Sequence, residues 1–246
     1  LVDGHTWGIV YNGELYNTNE LRKELILRGY TFETASDTEV ILIAYLEYGP
    51  DFVSRLNGIF AFAIMDPVHN CLMLCRDRVG VKPLFFSRQK EGVVFSSEIK
   101  GMFCWPELKP ILDCNGLNEI FSIGPARTSG SGVFRDISEV LPGHYLIFSR
   151  DFVCQKCYWK LKSHPHEDNY EDTIEKTAFL VEDAICRQMV SDVPICTFLS
   201  GGVDSSLVSS ICARELKKKN QQLTTFSFDF VGNQKNFKSN AFQPSL

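Results

Sequence analysis

An α+β layered domain followed by the beginning of a parallel α/β domain is predicted, with boundaries at residues 1–160 and 168–246. Three observations carry this. Short apolar runs separated by turn residues fill the first part, with amphipathic helical segments between and beside them. A polar stretch from about 158 to 170 interrupts the pattern. A strand–loop–helix–strand succession then follows, the signature of a βαβ unit. At 246 residues, 44% hydrophobic and 22% charged, the chain can bury one large core or two ordinary ones, and the change of pattern favours two.

In the first domain, Trp7 to Tyr11 is an apolar run ending in Asn12-Gly13, a dipeptide that accepts positive φ, so a turn is expected there. A helix is predicted over about Thr18 to Arg28, with Asn17 or Thr18 as N-cap, Leu21 and Leu25 on one face, and Gly29 to stop it. Ser36-Asp37-Thr38-Glu39 has capping-box spacing and should open a second helix that runs to about Tyr48 and ends at Gly49-Pro50. Gly58 to Met65 and Cys71 to Arg76 flank Asp66-Pro67-Val68-His69-Asn70 and read as an antiparallel hairpin. Leu84 to Phe86 and Val93 to Ser96 read as its next two strands, and Glu98 to Met102 as the start of a short helix.

Trp159 to Asn169 is polar and reads as a linker, its His164 and His166 solvated rather than ligating. Beyond it, Ile174, Ala178, Val181, Ile185 and Met189 recur at helical spacing. Ile195 to Leu199 is apolar without alternation, as expected of a strand buried on both faces. Leu207, Val208, Ile211 and Leu216 mark a further helix that ends in Lys217-Lys218-Lys219, where cations suit the macrodipole, and Thr224 to Phe230 reads as the next strand.

Composition narrows the function. A net charge of -5 provides no basic stripe for a nucleic acid. No apolar run reaches the roughly 18 to 20 residues of a membrane helix, and no signal sequence opens the chain, so a cytoplasmic protein is expected. Nine cysteines are an odd count in a chain rich in apolar segments, which reads as reduced thiols. Cys154 and Cys157 form an isolated C-x-x-C and read as two ordinary buried thiols rather than as a metal or redox pair.

The chemistry concentrates in Ser200-Gly201-Gly202-Val203-Asp204-Ser205-Ser206, between a strand and a helix. Two glycines let backbone N–H groups approach an anion, and the helix start adds unsatisfied donors and positive dipole. A phosphate should bind there. No Gly-Lys-Ser/Thr occurs in the sequence, so a Walker A loop and its γ-phosphoryl chemistry are not indicated. The loop resembles the S-G-G-x-D-S signature of ATP pyrophosphatases, which cleave ATP between the α and β phosphates. That resemblance implies pyrophosphate held by the loop, Mg2+ bound with the help of Asp204, and a nucleotide site lined by Leu199 and Phe228.

Tyr11-Asn12-Gly13-Glu14-Leu15-Tyr16-Asn17, with Ser36-Asp37-Thr38-Glu39, resembles the glutaminase domains of class II amidotransferases, which have the αββα N-terminal-nucleophile fold and use an N-terminal cysteine. The resemblance implies that the Asn12 amide and Gly13 N–H form an oxyanion hole, and that Glu14 and Asp37, with Asn12 and Gly13, hold glutamine. Arg76-Asp77-Arg78-Val79-Gly80-Val81-Lys82-Pro83-Leu84 and Ser97-Glu98-Ile99-Lys100 also fit these domains; the charges of the first read as structural pairs around a turn, and the second suggests no catalytic role. The two domains in this order resemble the asparagine synthetase family. That layout implies asparagine formation from aspartate, ATP and glutamine through a β-aspartyl-adenylate, with small-molecule partners and room for a homodimer.

Both ends of the chain read as cut: it starts at Leu1 and stops soon after a strand-like run. The resemblance then leaves the nucleophile, the arginine-bearing glutamine segment and the remaining ATP and aspartate contacts outside it, so the isolated piece should be inactive. Two alternatives stay open, a β-lactam-forming synthetase of the same plan and a non-catalytic nucleotide-binding homologue.

Overall fold

The computed structural model describes residues 4–124 and 126–228. The chain divides into two compact units, residues 1–163 and 164–246.

In the first unit, β1 (Gly8–Leu15) precedes α1 (Thr18–Leu27) and α2 (Asp37–Tyr48), and a 3-10 turn over Gly49–Arg55 leads to the hairpin of β2 (Gly58–Asp66) and β3 (Cys71–Arg76). Next come β4 (Phe85–Gln89), β5 (Gly92–Ser96), the short helix α3 (Ile99–Met102), α4 (Cys114–Ile123), β6 (Ser138–Glu139), β7 (His144–Ser149) and β8 (Val153–Cys157). Two sheets result, ordered β1-β2-β3-β7-β8 and β5-β4-β6.

Strand alternation builds the layers. Phe60, Phe62, Ile64, Met73 and Cys75 point to one face, where they bury with Leu21 and Leu25 of α1 and Val40, Ile41 and Ala44 of α2. Ala61, Ala63 and Leu74 point to the other face and pack with Leu84, just before β4, and with Phe86, Val93 and Phe95 of the second sheet. Phe85 and Val94 face away from that interface and pack with Ile99 and Met102 of α3. The order helices, sheet, sheet, helix is the expected αββα arrangement.

Four local expectations are corrected. Asn12-Gly13 makes no turn: β1 runs through it, with Asn12 opposite Ala61 and Gly13 opposite Phe60, because pairing with β2 outweighs the local preference. β4 and β5 do not extend the β2–β3 hairpin but belong to the second sheet. The capping box is not reciprocal: Ser36 Oγ accepts from Thr38 N–H, while Glu39 turns to the N–H groups of Glu33 and Thr34. Cys154 and Cys157 are exposed, since β8 is the edge strand of its sheet.

The charges of residues 76–82 are structural, but they hold backbone more than one another. Asp77 is buried and accepts the N–H groups of Phe60 (3.3 Å), Val79 (3.2 Å), Val81 (3.0 Å) and Lys82 (2.9 Å). Arg76 donates to the carbonyls of Lys82, Val140 and Gly80, and pairs with Glu139 on β6 at 3.0 Å. The turn thereby ties the first sheet to the second.

The β2–β3 turn is organised by buried Asp66, whose carboxylate accepts from the N–H groups of Val68 and His69, the Tyr45 hydroxyl and the His69 ring. Burial alone would raise its pKa, but these hydrogen bonds and the His69 charge outweigh it and hold the carboxyl below the usual range. A carboxyl depressed in the folded state stabilises above its unfolded pKa of about 3.9, and that contribution is lost as pH falls through the folded value. Urea midpoints recorded from pH 6 down to pH 2 should therefore fall less steeply at the acid end for Asp66→Asn than for the wild type. Equal slopes would remove Asp66 from the acid response.

The second unit contains α5 (Tyr170–Arg187), β9 (Cys196–Phe198), α6 (Val203–Lys218) and β10 (Thr224–Phe226). Asn169 caps α5 by accepting from Asp172 N–H. β9 and β10 are parallel, with Thr224 opposite Cys196 and Phe226 opposite Phe198, and α6 is the crossover between them. Of the four residues that mark α6 in the sequence, Ile211 and Leu216 are buried, whereas Leu207 and Val208, a turn nearer its start, are exposed. β9 is not buried on both faces among the described residues: Phe198 is 70% exposed, with only β10 beside it and two helices in the unit. The part of the expected strand from Asp229 to Phe230 lies outside the described residues, as does the rest of the predicted domain to Leu246. Among the described residues no helix is long and apolar enough to cross a membrane.

Candidate functional site

In the first unit, the site residues converge on β1, which ends its sheet and pairs with β2 along one side only among the described residues. Backbone N–H groups alternate in direction along a strand. Tyr16 N–H reaches Asn57 carbonyl on the β2 side, so Leu15 N–H and, two residues back, Gly13 N–H face the open side. Asp37 Oδ2 confirms that direction by accepting from Leu15 N–H at 3.3 Å. Gly13 has no alternative at its position: a Cβ there would lie 2.3 Å from Ile59 carbonyl oxygen and 2.8 Å from Phe60 Cα.

Asn12 lies on the face of β1 toward the second sheet, with Val10 and Glu14 on the same face by alternation. It lines a cleft of about 420 Å³ with Ala61, Ala63, Phe95, Ser97 and Lys100, a volume within the roughly 300–1,000 Å³ of small-ligand sites. Asn12 Nδ2 donates to Ser97 Oγ at 3.1 Å. No cysteine lines the cleft among the described residues.

Asp37 opens α2 and reaches back to β1. Its Oδ2 accepts from the Tyr11 hydroxyl at 2.8 Å as well as from Leu15 N–H. Burial, followed by the Asp37 carboxylate, pushes the Tyr11 phenol far above its ordinary value, so it remains a donor. Asn12, Gly13, Glu14 and Asp37 are thus gathered around one strand edge. Tyr11 and Ser97 belong to the same constellation, yet neither was assigned a role from sequence. Tyr11 sits inside the quoted motif; Ser97 lies 85 positions from its partner, a distance no local pattern bridges.

In the second unit, residues 199–202 join β9 to α6. Leu199 N–H donates to Phe226 carbonyl at 2.8 Å and its own carbonyl accepts from Ser227 Oγ at 2.8 Å, which docks the loop on the end of β10. Gly201 has φ of 82°, in the left-handed region that glycine enters without strain. Gly202 is the N-cap of α6 and supplies no side chain, so the N–H groups of the first turn, Val203 to Ser205, keep their capacity for an anion. The Ser205 hydroxyl donates to Gly202 carbonyl (3.1 Å), accepts from Ser200 N–H (3.3 Å) and meets Ser200 Oγ (3.0 Å). Ser206 continues the helix, its N–H on Gly202 carbonyl.

Asp204 is exposed in that first helical turn. Among the described residues no group of three or more His, Cys, Asp or Glu is placed to hold a metal. One carboxylate beside an anion cradle fits Mg2+, which takes one or two protein carboxylates and completes its shell with phosphate oxygens and water. Phe228 is exposed and stacks on Phe198, ring centroids 6.0 Å apart, beside the loop.

The chain belongs to the glutamine amidotransferase domain family, whose model matches residues 2–159. Residues 176–242 match the asparagine synthase family model. The chain is 49% identical to asparagine synthetase (glutamine-hydrolysing) 3 of Bacillus subtilis, over 98% of its own length and 40% of that protein. It is 34% identical to asparagine synthetase (glutamine-hydrolysing) 1 of the same organism, over 93% of its length and 35% of the relative. The asparagine synthetase of Asparagus officinalis is 36% identical over 85% of the chain and 30% of that enzyme. The chain therefore spans 30% to 40% of the length of these relatives.

Proposed function

We propose that the protein carrying this chain makes asparagine from aspartate, ATP and glutamine, releasing AMP, pyrophosphate and glutamate. The observation that carries the reading is the pairing, in one chain, of an amide-hydrolysing strand edge with a lysine-free strand–loop–helix anion cradle. Residues 1–160 form the glutaminase domain in this reading, and residues 168–246 belong to the ATP-binding domain.

At the first site, attack on the glutamine side-chain amide turns its carbonyl oxygen into an oxyanion. Asn12 Nδ2 and Gly13 N–H donate to it, and donors fixed in advance are worth most where water is excluded. Glu14 and Asp37 hold the amino-acid end of glutamine, Asp37 through the oxygen not used by Tyr11. Collapse of the intermediate expels ammonia and leaves the glutamyl group as a thioester on the N-terminal cysteine that the resemblance implies, and water then hydrolyses that thioester to glutamate.

At the second site, Ser200, Gly201, Gly202, Val203, Asp204, Ser205 and Ser206 surround the β and γ phosphates with backbone N–H groups and hydroxyls. Leu199 and Phe228 flank the nucleotide. Mg2+ on Asp204 would neutralise the phosphates. Aspartate's side-chain carboxylate attacks the α phosphate, pyrophosphate leaves, and ammonia displaces AMP from the β-aspartyl-adenylate. Nine free thiols suit a reducing cytoplasm.

The test is an assay of the gene-encoded protein with all three substrates. Asparagine, glutamate, AMP and pyrophosphate should appear in equal amounts. ADP in place of AMP, or glutamine hydrolysis that never yields asparagine, would reject the assignment.

A further inference from the structure

The Ser97-Glu98-Ile99-Lys100 segment fits the family without a role for any of its residues, yet the structure brings its first residue to the oxyanion amide. We propose that Ser97 is a positioning residue for glutamine hydrolysis: its hydroxyl holds the Asn12 amide in place and leaves one Nδ2 hydrogen for the oxyanion. This rests on the glutaminase reading given above.

A primary amide on a strand edge has a broad, two-fold torsion and no intrinsic preference for one orientation. An oxyanion hole needs one, because a swing of the amide replaces a donor with an acceptor and turns attraction into repulsion. The 3.1 Å contact from Asn12 Nδ2 to Ser97 Oγ is the only hydrogen bond on that side chain among the described residues. It uses one of the two Nδ2 hydrogens.

Ser97 can serve as an anchor because its backbone is held on both sides. The preceding residue, Ser96, is paired with Phe85 across β5 and β4. Its hydroxyl accepts from Glu98 N–H at 3.2 Å, closing the turn into α3. Gly101 allows that closeness, since a Cβ there would stand 2.9 Å from Ser96 Oγ. Met102 then locks α3 into the core below, fully buried with Phe85. The tether therefore joins the reactive edge of the first sheet to the rigid end of the second.

The experiment compares Ser97→Ala and Ser97→Thr in the gene-encoded protein. Ser97→Ala should lower kcat for glutamine hydrolysis on the order of 10-fold, less than the roughly 100-fold or more of losing a donor outright, with KM within about twofold. Ser97→Thr, which keeps the hydroxyl, should recover most of the rate. Binding of glutamate γ-semialdehyde, which forms a tetrahedral adduct, should weaken by the same factor as kcat, while glutamate binds as before. In an Asn12→Ala background, Ser97→Ala should have no further effect. Unchanged kcat in Ser97→Ala, or a further loss on top of Asn12→Ala, overturns the positioning role alone. A wild-type protein that does not hydrolyse glutamine overturns the glutaminase reading with it.

Discussion

Asp77→Ala is expected to lower the stability of the first unit by about 3–5 kcal/mol, since hydrogen bonds to a charged group contribute about 1.5–3 kcal/mol each and the more exposed donors can turn to water. Against a total of roughly 5–15 kcal/mol, that is a large share. The carboxylate gathers the N–H groups of Phe60, Val79, Val81 and Lys82, and Phe60 N–H, in the middle of the core sheet, has the least access to any substitute. Calorimetry should show the first transition lowered by about 10 °C. Asp77→Asn, which keeps one carbonyl acceptor, should fall between the two. A melting temperature within about 2 °C of wild type for the alanine variant would mean that the turn is held by Arg76 alone.

If Asp204 helps hold Mg2+ as proposed, Asp204→Ala is expected to cut pyrophosphate release at least on the order of 100-fold, as several kcal/mol of charge stabilisation on the departing phosphates would be lost. Glutamine hydrolysis should stay measurable, because Asp204 and the Asn12 cleft belong to separate units. Both activities are followed in one reaction mixture, pyrophosphate by a coupled enzyme and glutamate by chromatography. An equal fall in the two would contradict the proposed division of labour.

Much of this molecule was legible from its sequence, and the failures share a cause. Leu21 and Leu25, Ile211 and Leu216, and the hairpin around Asp66 were readable because each depends on near neighbours: helical spacing, or turn residues between apolar runs. The loop after Phe198 was readable for the same reason, its glycines and serines being contiguous. Asn12-Gly13 was misread as a turn because what straightens it is β2, more than 40 positions away. Asp77 suggested an ion pair, whereas its strongest demands come from backbone N–H groups that carry no side-chain signature. Cys154 and Cys157 read as buried because an edge strand and an interior strand have the same local composition. Ser97 stayed unassigned for want of its distant partner, Asn12.

The loop between Leu199 and Val203 has one more implication. Ser200 and Ser205 grip each other, and Ser227 and Phe226 hold Leu199. Under the proposed phosphate-binding role, a glycine-rich loop fixed in this way by folding has little conformational freedom left to lose, so more of the anion's interaction energy would go into holding it.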